Sequence, residues 1–180
     1  FDLYPTHYTL AMMLLRAYEI TPEAFLDDEL RIPESGNGIP DILDEVLWNL
    51  AAWEQLQEED GGIRAGVESY RHPWGFYFAD EDPIPYWTFS ADAEHTARFA
   101  GIFAQAARVV APFSQEISDR LAQRAQRAYD YAYGLGLRST GDSDGKEQGE
   151  MIYAESQLFN LKGEAVMGQR FEEAWDAWNI

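Results

Sequence analysis

The residues best suited to chemistry stand between Tyr70 and Phe89, in the stretch YRHPWGFYFADEDPIPYWTF. Sugars present apolar C–H faces ringed by hydroxyl groups, so sites that hold them combine aromatic plates with carboxylates. This stretch supplies both kinds of group: rings at Trp74, Tyr77, Tyr86 and Trp87, with His72, Asp80, Glu81 and Asp82 beside them. The composition indicates a carbohydrate-binding surface, and the alternative is that these rings only cover the helices they pass.

Other familiar site signatures are incomplete in this sequence. Gly36 and Gly38 lack the third glycine of a dinucleotide fingerprint, and no Lys-Ser/Thr comes after them as in a phosphate loop. The stretch IPESGNGIPDILDE, residues 32–45, is better interpreted as a tight loop that leads into a helix, with Pro40 at the first helical position. Acidic residues in its first turn suit the positive end of the helix dipole.

Metal and nucleophile motifs are equally weak. The DSDG at 142–145 begins like a calcium loop, but Lys146 stands at the next ligand position and no glutamate falls at position twelve. We interpret it as a solvated turn. His7, His72 and His95 are far apart in sequence, so no zinc motif is present. None of the serines has the context of a nucleophile elbow.

Apolar residues recur at three- and four-residue spacing along most of the chain, which predicts helices. We expect six of them, over residues 8–20, 40–58, 91–110, 115–137, 151–161 and 165–179. The short connections predict antiparallel neighbours in an all-α fold. Residues 61–70 could form a short strand, and residues 70–89 are expected to be an irregular loop because Pro73, Pro83 and Pro85 obstruct a helix.

Composition excludes several classes of partner. The 180 residues include 32 acidic and 13 basic side chains, for a formal charge of -19. Such a field repels phosphate backbones and anionic membrane surfaces, so we expect no nucleic-acid or membrane partner. With no cysteine, the chain has no disulfide, no thiolate zinc site and no cysteine nucleophile.

One long segment resembles a known family. The stretch IPESGNGIPDILDEVLWNLAAWEQLQEEDGGI is similar to a segment of the family 9 glycoside hydrolases, which include many cellulases. The stretches LLRAYEITPEAF and SADAEHTARFAGIFAQAARVV also resemble helices of that family, and the similarity weakens after about Leu137. The resemblance implies an (α/α)6 toroid of six inner and six outer helices. Residues 1–180 would be a partial catalytic domain, roughly its first half, with an aromatic-rich cleft loop at about 61–90.

The resemblance implies hydrolysis of β-1,4-glucan or a related β-glycoside with inversion of configuration. In the family an Asp-Ala-Gly-Asp motif supplies the catalytic base, and FDLYPTH resembles the segment directly after that motif. The base is therefore expected just before Phe1, with Asp2 its neighbour, and the general acid beyond Ile180. No catalytic residue is assigned within the chain. RHPWG matches the family's His-x-Trp, so the candidate substrate-binding residues are His72, Trp74, Tyr86 and Trp87.

The same resemblance implies the cofactor, partners and location of the protein. No cofactor is required, although a structural calcium ion is compatible with the family near the helix that begins around Ser90, where His95 replaces a frequent acidic residue. The expected partners are a β-glucan or oligosaccharide, the remainder of the catalytic domain and a carbohydrate-binding module, and the expected location is extracellular, with periplasmic or cytoplasmic as alternatives. The competing hypothesis is a non-catalytic glycan-binding or scaffold module that retains the toroid.

Overall fold

A computed structural model describes residues 6–71, 75, 77–78, 81–141 and 145–178. These ranges contain six α-helices, one short 3-10 turn at Pro22–Ala24 and a two-stranded antiparallel ribbon. The helices are α1 (Thr6–Ile20), α2 (Asp41–Leu56), α3 (Ala93–Val110), α4 (Gln115–Gly134), α5 (Gly145–Lys162) and α6 (Ala165–Trp178), and the strands are β1 (Val67–Glu68) and β2 (Trp87–Thr88). The all-α prediction is confirmed. Within the described ranges, no helix is both long and apolar enough to cross a membrane.

Helix α3 is the centre of the structure. It is buried on nearly every side and packs against α1, α4 and α5. Its close contact with α5 depends on Gly101, where an added Cβ would lie 2.3 Å from the ring of Tyr153. A helix that is buried on nearly every side is enclosed by others, which is the position of an inner helix in a layered helical fold.

Helix α2 begins at Asp41, with Pro40 at its N-cap and not at the first helical position that we expected. Its apolar stripe is buried against the core, and the Trp53 ring lies 4.3 Å from the ring of Phe99 on α3, centroid to centroid. The N-terminus of α2 is joined to the preceding loop by Asp41, whose carboxylate accepts hydrogen bonds from the backbone N–H groups of residues 28–30. The acidic residue at the helix start therefore also organises the chain that leads into it.

The start of α5 differs from the sequence prediction. We expected this helix to begin near Met151, but it begins at Gly145. Its first turns are polar because they attach to α3 through ion pairs: Lys146 Nζ lies 2.5 Å from Glu94 Oε1, and Arg98 Nη2 lies 2.6 Å from Glu150 Oε1. Apolar periodicity could only detect the part of the helix that is held by apolar packing.

The glycine pair after α2 fixes the beginning of the long connection to α3. Gly61 has a φ of +100°, and a Cβ there would lie 2.3 Å from the carbonyl oxygen of Arg127 on α4. Ile63 is fully buried, and its N–H donates to Thr96 Oγ1 on α3 at 2.9 Å. The connection therefore starts against both α3 and α4 before it reaches the surface.

Candidate functional site

The irregular connection between α2 and α3 is held by a short ribbon. Val67 pairs with Thr88 and Glu68 with Trp87, in antiparallel register. Arg64 strengthens the base of the ribbon, because its Nη1 donates to Thr88 Oγ1 at 2.9 Å and its Nη2 lies 2.7 Å from Glu58 Oε1. These contacts hold in place the backbone of the strand that carries Trp87.

An aromatic pair lies at the end of this ribbon. The rings of Tyr70 and Trp87 stack with centroids 6.0 Å apart and planes inclined by 12°, and the guanidinium carbon of Arg71 lies 5.1 Å from the Tyr70 centroid. Tyr70 is 58% exposed and Trp87 is 45% exposed. Stacking fixes the orientation of both rings, and the exposed parts of Tyr70 and Trp87 remain accessible to a ligand.

Tyr86 is positioned by an acidic neighbour. Its hydroxyl donates to Asp82 Oδ2 at 2.5 Å, and the N–H of Ile84 donates to Asp82 Oδ1 at 2.9 Å. The Tyr86 hydrogen bond, followed by the Ile84 bond, holds the pKa of the Asp82 carboxyl below its usual range. The same hydrogen bond raises the pKa of Tyr86. Asp82 is therefore ionised at neutral pH and acts as a hydrogen-bond acceptor.

We name four residues of this connection the aromatic surface: the stacked Tyr70 and Trp87, and the hydrogen-bonded Asp82 and Tyr86. Tyr86 and Trp87 are two of the four predicted binding residues. The other two, His72 and Trp74, lie outside the described residues, as does Asp80. The aromatic rings of this connection that the structure describes are all exposed: Tyr70, Tyr77, Phe78, Tyr86, Trp87 and Phe89. Tyr70 was missed as a site residue, because its contact with Trp87 depends on strand pairing that aromatic content does not reveal.

The N-terminus of α3 adjoins the other end of this connection. Asp92 caps the helix by accepting from the N–H of His95 at 2.8 Å, and its second oxygen lies 2.7 Å from His95 Nδ1. Burial acts to raise the pKa of Asp92, but the bonds from His95 outweigh it and lower the pKa. Both Asp92 oxygens already bind His95. The calcium site considered near Ser90 stays a prediction.

The sequence profile of glycosyl hydrolase family 9 matches residues 3–171, nearly the whole chain. The chain belongs to this family. Within family 9, the chain superposes on the crystal structure of a metagenome-derived endoglucanase with a TM-score of 0.82 and 28% sequence identity, over 96% of this chain and 33% of that one. The resemblance and the (α/α)6 toroid that it implied are thereby confirmed, with this chain covering part of the toroid.

Curated family 9 relatives include enzymes of two kinds. The chain is 29% identical over 116 residues to a cellulose 1,4-beta-cellobiosidase of Acetivibrio thermocellus, covering 61% of this chain and 13% of the relative. It is 25% identical over 170 residues to endoglucanase C of Cellulomonas fimi, covering 84% of this chain and 15% of the relative. The chain thus spans about a seventh of the length of these two proteins.

Proposed function

We propose that the full-length protein hydrolyses β-1,4-glucan or a related β-glycoside with inversion of configuration, and that this chain supplies part of the sugar-binding surface. Family membership supports the reaction class, and the aromatic surface is the observation that supports the role of this chain. The stacked, half-exposed rings of Tyr70 and Trp87 and the carboxylate of Asp82, which lie on the same connection, offer both groups that a sugar ring requires.

Each group of the aromatic surface has a distinct part in binding. The exposed face of Trp87 packs on the apolar face of a pyranose, while Asp82 accepts hydrogen bonds from sugar hydroxyl groups. A carboxylate oxygen has about two lone-pair sites, so Asp82 can accept from a ligand while it holds Tyr86 and the N–H of Ile84. Because the Tyr86 hydroxyl donates to Asp82, its own oxygen is left to accept from a sugar hydroxyl.

Asp82 is not suited to be the residue that transfers a proton during hydrolysis. A general acid needs a raised pKa so that it carries a proton at working pH, whereas the pKa of Asp82 is lowered by its Tyr86 and Ile84 bonds. Inversion needs one acid and one base with carboxyl groups about 6.5 to 9.5 Å apart, which leaves room for the attacking water. We place the base just before Phe1 and the acid beyond Ile180, so this chain binds and orients the sugar beside them.

The test uses the full-length protein with cellulose, cello-oligosaccharides and chito-oligosaccharides. We expect cleavage of at least one β-1,4-linked substrate, with the α-anomer as the first product seen by proton NMR. Initial release of the β-anomer would contradict inversion. If no substrate is cleaved but cello-oligosaccharides bind, the protein is the non-catalytic glycan-binding module instead. If cello-oligosaccharides are neither cleaved nor bound, both the proposed hydrolysis and the proposed sugar-binding role are wrong.

A further inference from the structure

Two arginines converge on one tyrosine ring near the end of α4. The guanidinium carbon of Arg138, in the turn after α4, lies 3.5 Å from the centre of the Tyr133 ring, and that of Arg170 on α6 lies 4.4 Å from it. None of the ion pairs between described residues includes Arg138 or Arg170. Two positive charges this close repel each other, and the cost is usually offset by an acidic partner. The chain has a formal charge of -19, so acidic side chains are not scarce.

Both arginines line the same cavity, which has a volume of about 140 Å³. The other residues that line it are Tyr133, Ser139, Thr140, Glu155 and Glu173. One water molecule needs roughly 10 to 15 Å³ of such space, so the cavity has room for several waters or for one small ligand. Its walls come from α4, the turn after α4, α5 and α6, and a ligand there would contact all four segments.

Both guanidinium groups have donors left over for a ligand. Arg138 Nη1 donates to the carbonyl oxygens of Tyr133 at 2.6 Å and Leu137 at 2.8 Å. Arg170 Nη1 donates to the Tyr129 hydroxyl at 2.6 Å, and its Nη2 donates to the Tyr133 hydroxyl at 3.3 Å. Within the described part of the chain, Nη2 of Arg138 and Nε of both arginines make no hydrogen bond. The existing bonds hold both side chains in place and leave these N–H groups available.

Glu155 adds a buried carboxyl group to the cavity. It is 1% exposed, its Oε1 accepts from the Tyr129 hydroxyl at 2.9 Å, and its Oε2 is buried with no hydrogen-bond partner among the described residues. Burial raises the pKa of Glu155 and outweighs the lowering effect of the nearby hydroxyl groups and arginines. A protonated Glu155 carries an O–H donor, and a buried donor without an acceptor is costly.

We propose that Arg138, Arg170 and Glu155 bind a small tetrahedral oxyanion between α4, α5 and α6. Guanidinium groups match the oxygens of such anions with paired N–H donors, and the anion supplies the negative charge that both arginines lack. A tetrahedral anion presents oxygens in several directions, which suits donors that reach it from three separate segments. A neutral ligand would fill the cavity and leave the two positive charges uncompensated.

The protonation of Glu155 determines how pH affects this binding. An ionised Glu155 would repel the anion and could not donate to it, whereas protonation removes the repulsion and supplies a donor. Glu173 also opposes an anion, but it is exposed at the rim, where solvent and salt screen its charge. The other polar groups around Glu155 are Tyr129 and Tyr133 on α4, Arg138 and Ser139 in the turn, and Arg170 on α6. Binding should therefore weaken as the pH rises through the pKa of Glu155.

The experiment titrates sulfate into the full-length protein by calorimetry, at constant ionic strength set with NaCl. Sulfate is a suitable probe because its charge does not change between pH 5 and pH 8. Wild type is compared with Arg138→Gln, Arg170→Gln and Glu155→Gln, each checked for folding by circular dichroism. Arg127→Gln is the matched control, because Arg127 is an arginine of α4 that does not line this cavity. Acetate is titrated at pH 5 as a planar anion.

At pH 5 we expect wild type and Arg127→Gln to bind one sulfate ion per chain. The affinity of Arg138→Gln and of Arg170→Gln should be about ten- to hundredfold lower, because each variant loses charge-assisted hydrogen bonds. The wild-type Kd should rise by up to about tenfold for each pH unit above the Glu155 pKa, since one proton is taken up with each anion. Glu155→Gln has an amide donor at every pH, so its Kd should not change with pH.

Any of four results would overturn the proposal. No saturable sulfate binding by wild type at pH 5 would mean that the cavity holds only water, or that the arginines pair with a carboxylate of the protein outside the described residues. Equal Kd values in wild type and both arginine variants would mean that sulfate binds elsewhere. Tighter binding of acetate than of sulfate would refute a tetrahedral anion, and a wild-type Kd that does not change with pH would refute the role of Glu155. None of these readouts depends on glycan hydrolysis, so this inference and the proposed function can fail separately.

Discussion

Arg98 of α3 and Glu150 of α5 form a buried ion pair, in which the Nε and Nη2 of Arg98 both donate to Glu150 Oε1, at 2.9 and 2.6 Å. The Arg98 side chain has no exposed surface, and its guanidinium carbon lies 4.0 Å from the centre of the Tyr8 ring on α1. Glu94 contributes a second carboxylate to the same guanidinium. One arginine therefore connects α1, α3 and α5.

Glu150→Ala is expected to lower the free energy of unfolding by about 3 kcal/mol, because removing one partner of a buried pair leaves the other charge undercompensated. Urea unfolding at neutral pH measures this loss. Glu172→Ala, on an exposed position of α6, is the control and should change stability by no more than about 0.5 kcal/mol. A similar loss of unfolding free energy in both variants would show that the buried Arg98–Glu150 pair contributes no more to stability than an exposed side chain does.

Glu155 supplies a prediction of pH dependence. It is 1% exposed, accepts from the Tyr129 hydroxyl at 2.9 Å, and has a raised pKa caused chiefly by burial. The folded state therefore holds the proton more tightly than the unfolded state, so stability falls as pH rises from about 4.5 through the raised pKa. Glu155→Gln carries no charge and lacks this dependence.

Urea unfolding of wild type and Glu155→Gln between pH 4.5 and pH 8 tests this. The difference in unfolding free energy should move in favour of the glutamine variant as pH rises, by about 1.4 kcal/mol for each unit by which the pKa is raised. The pH trend is the decisive quantity, because the amide changes local hydrogen bonding by a constant amount. A difference that stays constant with pH would contradict the raised pKa.

Gly61 and Gly136 form a matched pair for testing close packing. Both have positive φ, at +100° and +95°, but only Gly61 has atoms where a Cβ would be placed, with the Arg127 carbonyl oxygen 2.3 Å away. Alanine at Gly136 should cost about 1 to 2 kcal/mol for the left-handed backbone alone. Alanine at Gly61 should cost at least about 2 kcal/mol more, because either α4 or the connection must move. Thermal unfolding measures the stability of both alanine variants. An equal loss of stability in the two would contradict the close packing of Gly61 against the Arg127 carbonyl.

Much of the fold could be predicted from the sequence, because apolar packing dominates it. The stripes of α1, α2, α4 and α6 predicted helix ends within a few residues, and the helix expected over 91–110 is found as α3 at Ala93–Val110. Arg98 was not expected in the core, because a charged residue between Ala97 and Phe99 carries no local sign of a partner 52 residues away. The first turns of α5 were not predicted either, because ion pairs to distant residues of α3 hold them in place.

The site was predictable in its composition but not in its geometry. Aromatic and acidic content indicated Tyr86 and Trp87, and the structure shows both of them exposed on the connection between α2 and α3. The stack of Trp87 on Tyr70 depends on the pairing of Glu68 with Trp87, and register between short strands is weakly encoded in sequence.

The kinetics of the full-length protein on soluble cello-oligosaccharides test the role of the aromatic surface most directly, with Trp87→Ala and Trp87→Phe compared with wild type. Loss of an aromatic contact worth about 1 to 1.5 kcal/mol predicts that kcat/KM falls about tenfold in Trp87→Ala. Trp87→Phe keeps a ring in place and should retain most of the wild-type value, with the Tm of both variants close to wild type. An unchanged kcat/KM in Trp87→Ala would contradict the claim that this surface holds the substrate.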